Sequence, residues 1–191
     1  RSTVLAVRRS LHSTLNMNFS GTSVADISYC SIDADNQFIR IYPADLVSTA
    51  SSGSAAPKGR VPVVYLVHGG FWRAKWNIDN SFLINTVPYF TGRGIAVCAV
   101  EYRRCGQDNG GGYPASVQDC ISGLTKLHEL SLTKEYSYLD MSNVTLLGHS
   151  AGGHAVLCLA SASGVSALPF NPRRCVAVSP VCIMEEAKTW L

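Results

Sequence analysis

The sequence has no long hydrophobic run and little charge. None of its uninterrupted apolar stretches approaches the roughly 18 residues that a membrane-spanning helix needs. Charged residues make up only 15% of the 191 residues, and the net charge of +3 is scattered along the chain. The sequence therefore contains no transmembrane segment and no basic face of the kind that binds nucleic acid. With 47% hydrophobic residues, it is typical of a soluble protein with one core.

Paired cysteines are also lacking. The seven cysteines form no CxxC pair and no metal-binding spacing with histidine, and their number is odd. This pattern argues against a disulfide framework and against a metal site. It favours a compartment that keeps thiols reduced, and we predict the cytoplasm.

Acidic residues are absent before Asp26, whereas three arginines lie in that stretch among several serines and threonines. Such a composition is typical of an organelle-targeting segment, and an ordinary arm leading into the fold is the alternative. We therefore predict an N-terminal arm or targeting segment over residues 1–23 and a single domain over residues 24–191.

Segments rich in β-branched and aromatic residues alternate with helix-like segments, which is typical of βαβ units and a largely parallel sheet. The predicted strands are Val24–Ile32, Gln37–Pro43, Val61–Val67, Gly94–Val100, Val144–Leu147 and Cys175–Pro180. The predicted helices are Asp79–Phe90 with a break at Pro88, a helix from Pro114 to about Leu130, and Ala151–Ser161. Ser48–Gly59 and Cys105–Tyr113 have the composition of loops.

One short motif has the pattern of a nucleophile turn. Gly148-His149-Ser150-Ala151-Gly152 has the form G-x-S-x-G and lies between a predicted strand and a predicted helix. A serine on so sharp a turn has a strained backbone, and its neighbours must be glycine to avoid clashes. The turn presents the hydroxyl above the sheet edge, at the N-terminus of the next helix. We therefore predict Ser150 to be the catalytic nucleophile.

A second glycine motif, His68-Gly69-Gly70, follows the predicted strand Val61–Val67. In hydrolases with a G-x-S-x-G turn, such a loop donates one backbone N–H to the oxyanion hole, and the residue after the nucleophile donates the other. The donors would be Ala151 and either Gly70 or Phe71. The predicted oxyanion-hole residues are Gly69, Gly70, Phe71 and Ala151.

These motifs resemble those of the α/β-hydrolase superfamily, and in particular those of kynurenine formamidase (arylformamidase) and related small serine esterases. The matching pieces, spread over about half the chain, are His68–Arg73, Val100–Arg104, Gly111–Pro114, Asp119 and Gly148–His154. The resemblance implies a three-layer αβα sandwich with a mostly parallel central sheet. It also implies a Ser/Asp/His triad that acts on a small ester or N-formyl amide, with no cofactor and no metal.

The sequence departs from that pattern after the serine. In the resembling fold, the triad acid and then the histidine lie beyond the strand that corresponds to Cys175–Pro180. Here no histidine follows His154, and the sequence ends at Leu191. We therefore expect the C-terminal strands and the triad Asp and His to be missing, an apolar sheet edge to be exposed, and the chain to be a nearly inactive fragment or shortened gene model. His154 lies four residues after Ser150, a spacing that favours packing over proton transfer.

Several side chains near the two motifs are candidates for a substrate pocket. The predicted pocket residues are His68, Trp72 and His149, whereas Phe71 and Trp76 could wall the same pocket or belong to the core. The predicted partner is a small-molecule ester or amide. Two alternatives to a formamidase stay open, namely a general carboxylesterase and a non-catalytic relative that binds a ligand in this pocket.

Charged residues after the strand Gly94–Val100 are assigned a structural role. We expect Glu101, Arg103 and Arg104 to form ion pairs beside the sheet, because charge clusters are commonly structural. The resemblance suggests that Asp119 anchors a loop.

Overall fold

Seven strands and three α-helices make up the part of the chain that the computed structural model describes, residues 7–8, 24–31, 33–45, 59–161, 164 and 166–183. The strands are β1 (Val7–Arg8), β2 (Ala25–Ser28), β3 (Phe38–Tyr42), β4 (Val61–Val67), β5 (Ala96–Glu101), β6 (Leu139–His149) and β7 (Arg174–Val178). The α-helices are α1 (Val87–Thr91), α2 (Ala115–Ser131) and α3 (Ala151–Ala160), and a 3-10 helix, Phe82–Thr86, leads directly into α1.

The strands form one mixed sheet in the order β1-β2-β3-β5-β4-β6-β7. The pairs β1–β2, β2–β3 and β3–β5 are antiparallel, whereas β5, β4, β6 and β7 run parallel to one another. β4 lies between β5 and β6 and is parallel to both. The C-terminal ends of these three strands therefore meet at one edge of the sheet.

Alternate residues of the central strands pack into two cores, one on each face of the sheet. On one face, Tyr65 and Val67 of β4 pack in the same cluster as Leu124 of α2 and Val156 of α3. On the other face, Leu66 packs in a smaller cluster with residues of the 3-10 helix and α1. Burial on both faces explains the nearly continuous apolar sequences of β4 and β5. The predicted three-layer α/β sandwich is thus confirmed.

Several predicted boundaries differ from those in the structure. β6 begins at Leu139 instead of Val144, because buried Leu139 pairs with Val61 of β4. The predicted helix Asp79–Phe90 is instead the 3-10 helix followed by α1. Pro88 lies in the first turn of α1, where its missing N–H disrupts nothing. The predicted loop Ser48–Gly59 lies outside the described residues except for Gly59, because residues 46–58 are not described.

The last described strand has an apolar, exposed side. Val176 and Val178 of β7 are 44% and 36% exposed. β7 pairs with β6 on one side and is the final strand in the order of the described sheet. The exposed apolar edge expected from the sequence is therefore present in the described strands.

The predictions about targeting and membranes concern the N-terminus and the helices. Within the predicted arm, residues 1–23, only β1 is described, and Val7 pairs with Ile27 of β2. The division into an arm and a domain, and the predicted compartment, stay predictions. None of the helices among the described residues combines the length and the apolar character that crossing a bilayer requires.

Candidate functional site

Ser150 lies at a sharp turn between β6 and α3. Its backbone has a φ of 54° and a ψ of −117°, a conformation rare for residues other than glycine. Such strain costs on the order of 1–3 kcal/mol and persists only where the surrounding structure fixes it. Here Ser150 N–H donates to Val178 O at 2.9 Å, and Ser150 O accepts from His154 N at 3.0 Å and from Val181 N at 3.2 Å. β6, α3 and the segment after β7 therefore hold the half-buried serine in place.

Glycines around Ser150 allow three backbone segments to touch. A Cβ atom on Gly148 would lie 2.1 Å from Gly152 O, and one on Gly152 would lie 2.1 Å from Val67 O. Both contacts are with backbone atoms, which cannot move aside as a flexible side chain can. The G-x-S-x-G pattern is thus required where the first turn of α3 packs against the ends of β4 and β6.

The second glycine motif lies directly beside this turn. Val67 of β4 pairs with Gly148 of β6, so the segments that follow the two strands emerge side by side. A Cβ atom on Gly69 would lie 3.2 Å from Ser150 Cβ and 2.7 Å from His149 O. The structure thus brings together the two motifs that are far apart in the sequence.

The backbone after Gly69 coils tightly. Gly70, Phe71 and Trp72 have φ values of 124°, 55° and 55°, and Arg73 N donates to Gly70 O at 3.0 Å. A Cβ atom on Gly70 would lie 2.3 Å from Trp76 Cβ, so the loop closes only because position 70 is glycine. The turn therefore fixes the backbone of the segment that follows Gly69.

Ala151, the other predicted oxyanion-hole donor, directly follows the nucleophile in the chain. It is the first residue of α3 and is fully buried. The N–H groups in the first turn of a helix have no partner within the helix, and the helix dipole makes that end attractive to negative charge. Of the predicted oxyanion-hole residues, Gly69 thus packs against Ser150 and Ala151 follows it at the start of α3, and the role of these residues in an oxyanion hole stays a prediction.

His68, a predicted pocket residue, is completely buried. Its ring stacks on Tyr102 with centroids 4.3 Å apart, and its Nδ1 and Nε2 atoms lie 2.8 Å from Gly69 O and 3.2 Å from Glu101 Oε1. The Tyr102 hydroxyl donates to His68 O at 2.8 Å. Burial raises the pKa of Tyr102 well above its usual value, which keeps this donor protonated. His68 therefore supports the loop from inside the protein, and it does not line an open pocket.

Ion pairs anchor the segment after β5. Asp119 of α2 accepts hydrogen bonds from Arg103 N at 3.0 Å, Arg103 Nε at 2.9 Å and Arg103 Nη2 at 2.8 Å. This bonding raises the pKa of the Arg103 guanidinium. Arg104 pairs with Glu101, and both side chains are buried. The predicted ion pair of Glu101 with Arg104 is thus confirmed, whereas Arg103 pairs with Asp119 of α2 instead of with Glu101. This bonding agrees with the loop-anchoring role suggested for Asp119.

The histidines near Ser150 make other contacts. His154 Nδ1 lies 3.0 Å from Val181 O, and its Nε2 lies 3.4 Å from Cys158 Sγ. This geometry agrees with the expected packing role of His154. The ring of His149, another predicted pocket residue, lies 5.4 Å from the ring of Phe82, measured between centroids.

Three aromatic residues considered from the sequence take different places. Trp72 is only 3% exposed, and its ring centroid lies 5.8 Å from that of His154, so it belongs to the core beneath the site. Phe71 is half-buried, with its ring 6.0 Å from that of Trp72. Trp76 is 38% exposed. Phe71 and Trp76 are therefore the accessible aromatic residues on the loop.

Two exposed aromatic residues near the site were missed by sequence reasoning. Phe82, beside His149, is 67% exposed. Tyr113 is 69% exposed, and its ring lies 6.4 Å from that of His154. Phe82 lies inside a segment predicted to be an ordinary helix, and no local pattern separates it from other surface residues. Tyr113 lies in Gly111–Pro114, one of the matching pieces, but that resemblance assigned it no role at the site.

Comparison with known proteins identifies the family. The sequence profile of the BD-FAE family matches residues 53–177. No curated protein matches the chain. Esterase B from Lactobacillus rhamnosis, solved with a tributyrin phosphonate, is 22% identical with a TM-score of 0.62, covering 88% of this chain and 53% of that one.

Two further solved structures share the fold. A thermophilic esterase from Thermogutta terrifontis with propionate bound is 19% identical with a TM-score of 0.62, covering 87% of this chain and 57% of that one. An α/β hydrolase from the metagenome of Lake Arreo is 20% identical with a TM-score of 0.57, covering 75% and 39%. The chain thus spans about half the length of these two esterases. Because the family profile covers more than half of the sequence, the chain belongs to the BD-FAE family, and its fold is that of the α/β hydrolases.

Proposed function

We propose that this chain supplies the nucleophile and the oxyanion hole of a serine hydrolase that cleaves a small carboxylic ester or an N-formyl amide. The observation that carries the proposal is the strained Ser150, held at a strand-to-helix turn with Gly69 packed against it. Membership of the BD-FAE family and a fold shared with proteins named as esterases support the same class of reaction.

In the proposed reaction, Ser150 Oγ attacks the carbonyl carbon of the substrate. A base takes the hydroxyl proton, and the electron pair of the C=O double bond moves to oxygen. The N–H groups of Ala151 and of Gly70 or Phe71 stabilise that oxyanion. The leaving alkoxide or amine departs with the proton from the base, and water then releases the acid from the acyl-serine.

The base is the component for which the described residues offer no histidine in a suitable position. His154 is engaged by Val181 and Cys158, and His68 is buried. His128 lies on α2 near Phe170, and His149 precedes Ser150 in the turn with its ring near that of Phe82. Loss of the triad histidine lowers kcat by about 10⁶-fold in a serine protease. We therefore propose that the 191-residue chain alone is nearly inactive, and that a longer form with a base is the competent enzyme.

Two candidate activities differ in substrate. The resemblance to kynurenine formamidase favours an N-formyl amide, whereas the esterase neighbours favour a carboxylic ester. Turnover of N-formylkynurenine and of p-nitrophenyl acetate by the longest expressible form separates the two. A formamidase should prefer the formamide in kcat/KM, and a general carboxylesterase should cleave only the ester.

A fluorophosphonate probe distinguishes a catalytic serine hydrolase from a non-catalytic relative that only binds a ligand. We expect stoichiometric labelling of Ser150 in the longest expressible form, since the probe reacts with an activated serine. Peptide mass mapping locates the label. A well-folded protein that takes up no probe would favour the binder and contradict the proposed hydrolysis.

Gly69→Ala should impair catalysis through the oxyanion hole. The new Cβ would meet His149 O at 2.7 Å and Ser150 Cβ at 3.2 Å, so the loop must shift away from the nucleophile. Because loss of one oxyanion donor costs about 10²–10³-fold in kcat, we expect a decrease of that order. Gly59→Ala is the control, since no atom lies within 4 Å of its Cβ position. A kcat for Gly69→Ala within twofold of the wild type would remove this loop from the mechanism.

A further inference from the structure

A second group of reactive side chains lies on α3, at one and two helical turns from Ser150. A cavity of about 510 Å³ opens between α2 and α3. Val117 and Ile121 of α2 and Leu157 of α3 give it apolar walls, and Tyr113 lines it from the segment before α2. The volume lies in the range of about 300–1,000 Å³ that is typical of small-molecule sites.

Two reactive side chains of α3 line the same cavity. His154 and Cys158 are separated by one helical turn, and Cys158 Sγ lies 3.4 Å from His154 Nε2. The other ring nitrogen, Nδ1, lies 3.0 Å from Val181 O. A carbonyl oxygen only accepts hydrogen bonds, so Nδ1 carries the proton, and Nε2 of the neutral ring is an acceptor. The Cys158 thiol is therefore the donor to His154 Nε2.

This arrangement has the three parts of an activated nucleophile: a nucleophilic side chain, a base within hydrogen-bond reach and a third group that orients the base. We propose that Cys158 and His154 form a thiol–imidazole site that adds covalently to apolar α,β-unsaturated carbonyl compounds bound in the cavity. The proposed ester hydrolysis uses neither side chain, so the two proposals stand or fall separately.

The addition is balanced without an oxidant or a leaving group. His154 Nε2 takes the thiol proton, and the sulfur electron pair forms a C–S bond to the β-carbon of the ligand. The electron pair of the C=C double bond moves onto the α-carbon and is delocalised as an enolate. The imidazolium then returns the proton to the α-carbon, which restores the neutral imidazole.

Burial makes the thiol dependent on its imidazole partner. Burial raises the pKa of the Cys158 thiol, so little thiolate forms at neutral pH without a base. Among the described residues, the other titratable groups around the pair are Cys120 of α2, Cys182 and Tyr113. Burial also raises the pKa of Cys120, which stays a thiol and leaves His154 as the base next to Cys158.

Labelling by N-phenylmaleimide, an apolar unsaturated dicarbonyl, tests the proposal on the 191-residue chain. Peptide mass mapping over time gives the rate at each cysteine. We expect half-buried Cys158 to react faster than the exposed Cys105 and Cys175, because neither of these lies in the cavity. Faster reaction at Cys105 or Cys175 would overturn the proposal.

His154→Gln tests the role of the imidazole. We expect it to lower the rate at Cys158 by at least about tenfold, since general-base assistance contributes about 10²–10⁴-fold, while the rate at exposed Cys105 is unchanged. Cys98, buried in β5, reports unfolding, because it reacts only when the sheet opens. An unchanged rate at Cys158 in a variant whose Cys98 stays protected would overturn the proposal.

Val117→Trp provides a test that leaves the pair itself intact. The larger side chain fills the cavity from α2. We expect it to slow N-phenylmaleimide at least about fivefold more than the small reagent methyl methanethiosulfonate, because only the larger reagent needs the cavity. Equal effects on both reagents would show that the cavity does not bind the ligand, and would overturn the proposal even if His154→Gln fails to fold.

Discussion

Replacing Ser150 by alanine is expected to abolish ester hydrolysis. The proposed mechanism passes through an acyl group on Ser150 Oγ, and removal of that oxygen leaves only background hydrolysis by bound water. Loss of the nucleophile in a serine protease lowers kcat by about 10⁶-fold, and we expect a decrease of that order. Steady-state kinetics with p-nitrophenyl acetate, on the longest form whose wild type turns over this ester, measures the effect.

The matched control is Ser122→Ala. Ser122 is exposed on α2, so the same chemical change there should leave kcat unchanged. Fluorophosphonate labelling of the two variants gives an independent readout, with the label expected in Ser122→Ala and lost in Ser150→Ala. Residual hydrolysis of more than a tenth of the wild-type kcat in Ser150→Ala would place the nucleophile elsewhere.

Gly152→Ala is expected to cause a large loss of stability. Alanine normally favours a helix over glycine by about 1 kcal/mol. Here, however, its Cβ would lie 2.1 Å from Val67 O and 2.5 Å from His68 O, so α3 must move away from the end of β4. Overpacking of this kind costs about 1–3 kcal/mol with flexible neighbours, and more when the neighbours are backbone. We expect the free energy of unfolding to fall by about 3 kcal/mol or more.

Urea unfolding followed by circular dichroism measures this change. Gly59→Ala is again the control, because its Cβ position is open, and surface substitutions commonly stay within about 0.5 kcal/mol. A loss of about 3 kcal/mol is a large fraction of the roughly 5–15 kcal/mol that stabilises a domain. A Gly152→Ala protein as stable as the wild type would mean that α3 does not pack closely against β4.

Elements with a strong local signal were predictable from the sequence. β4 and β5 are buried on both faces, so nearly every residue is apolar, and the pattern stands out without any knowledge of neighbours. The turn at Ser150 was predictable for the same reason. A strained strand-to-helix bend restricts the residues beside it to glycine, and this requirement is visible in the five residues of the motif Gly148–Gly152.

Boundaries that depend on partners were less predictable. β6 extends back to Leu139 because Leu139 pairs with Val61 of β4. No local sequence pattern around Leu139 predicts that pairing. The sequence predicts a single helix where the structure has a 3-10 helix followed by α1, since both have similar apolar spacing over so short a segment. Such differences come from contacts between elements, which local propensity does not contain.

The sequence alone determined the strand-to-helix turn at Ser150, the glycine loop after β4 and the α/β class of the fold. Backbone sterics and side-chain periodicity set these features, and both act over a few residues. Only the tertiary structure decided that Gly69 touches Ser150, that His68 is buried instead of open to a ligand, and that His154 faces Cys158 and Val181. These contacts follow from the order of strands in the sheet, which places the ends of β4, β6 and β7 next to one another. Strand order is set by the packing of the whole domain, so it is a property of residues distant in the chain.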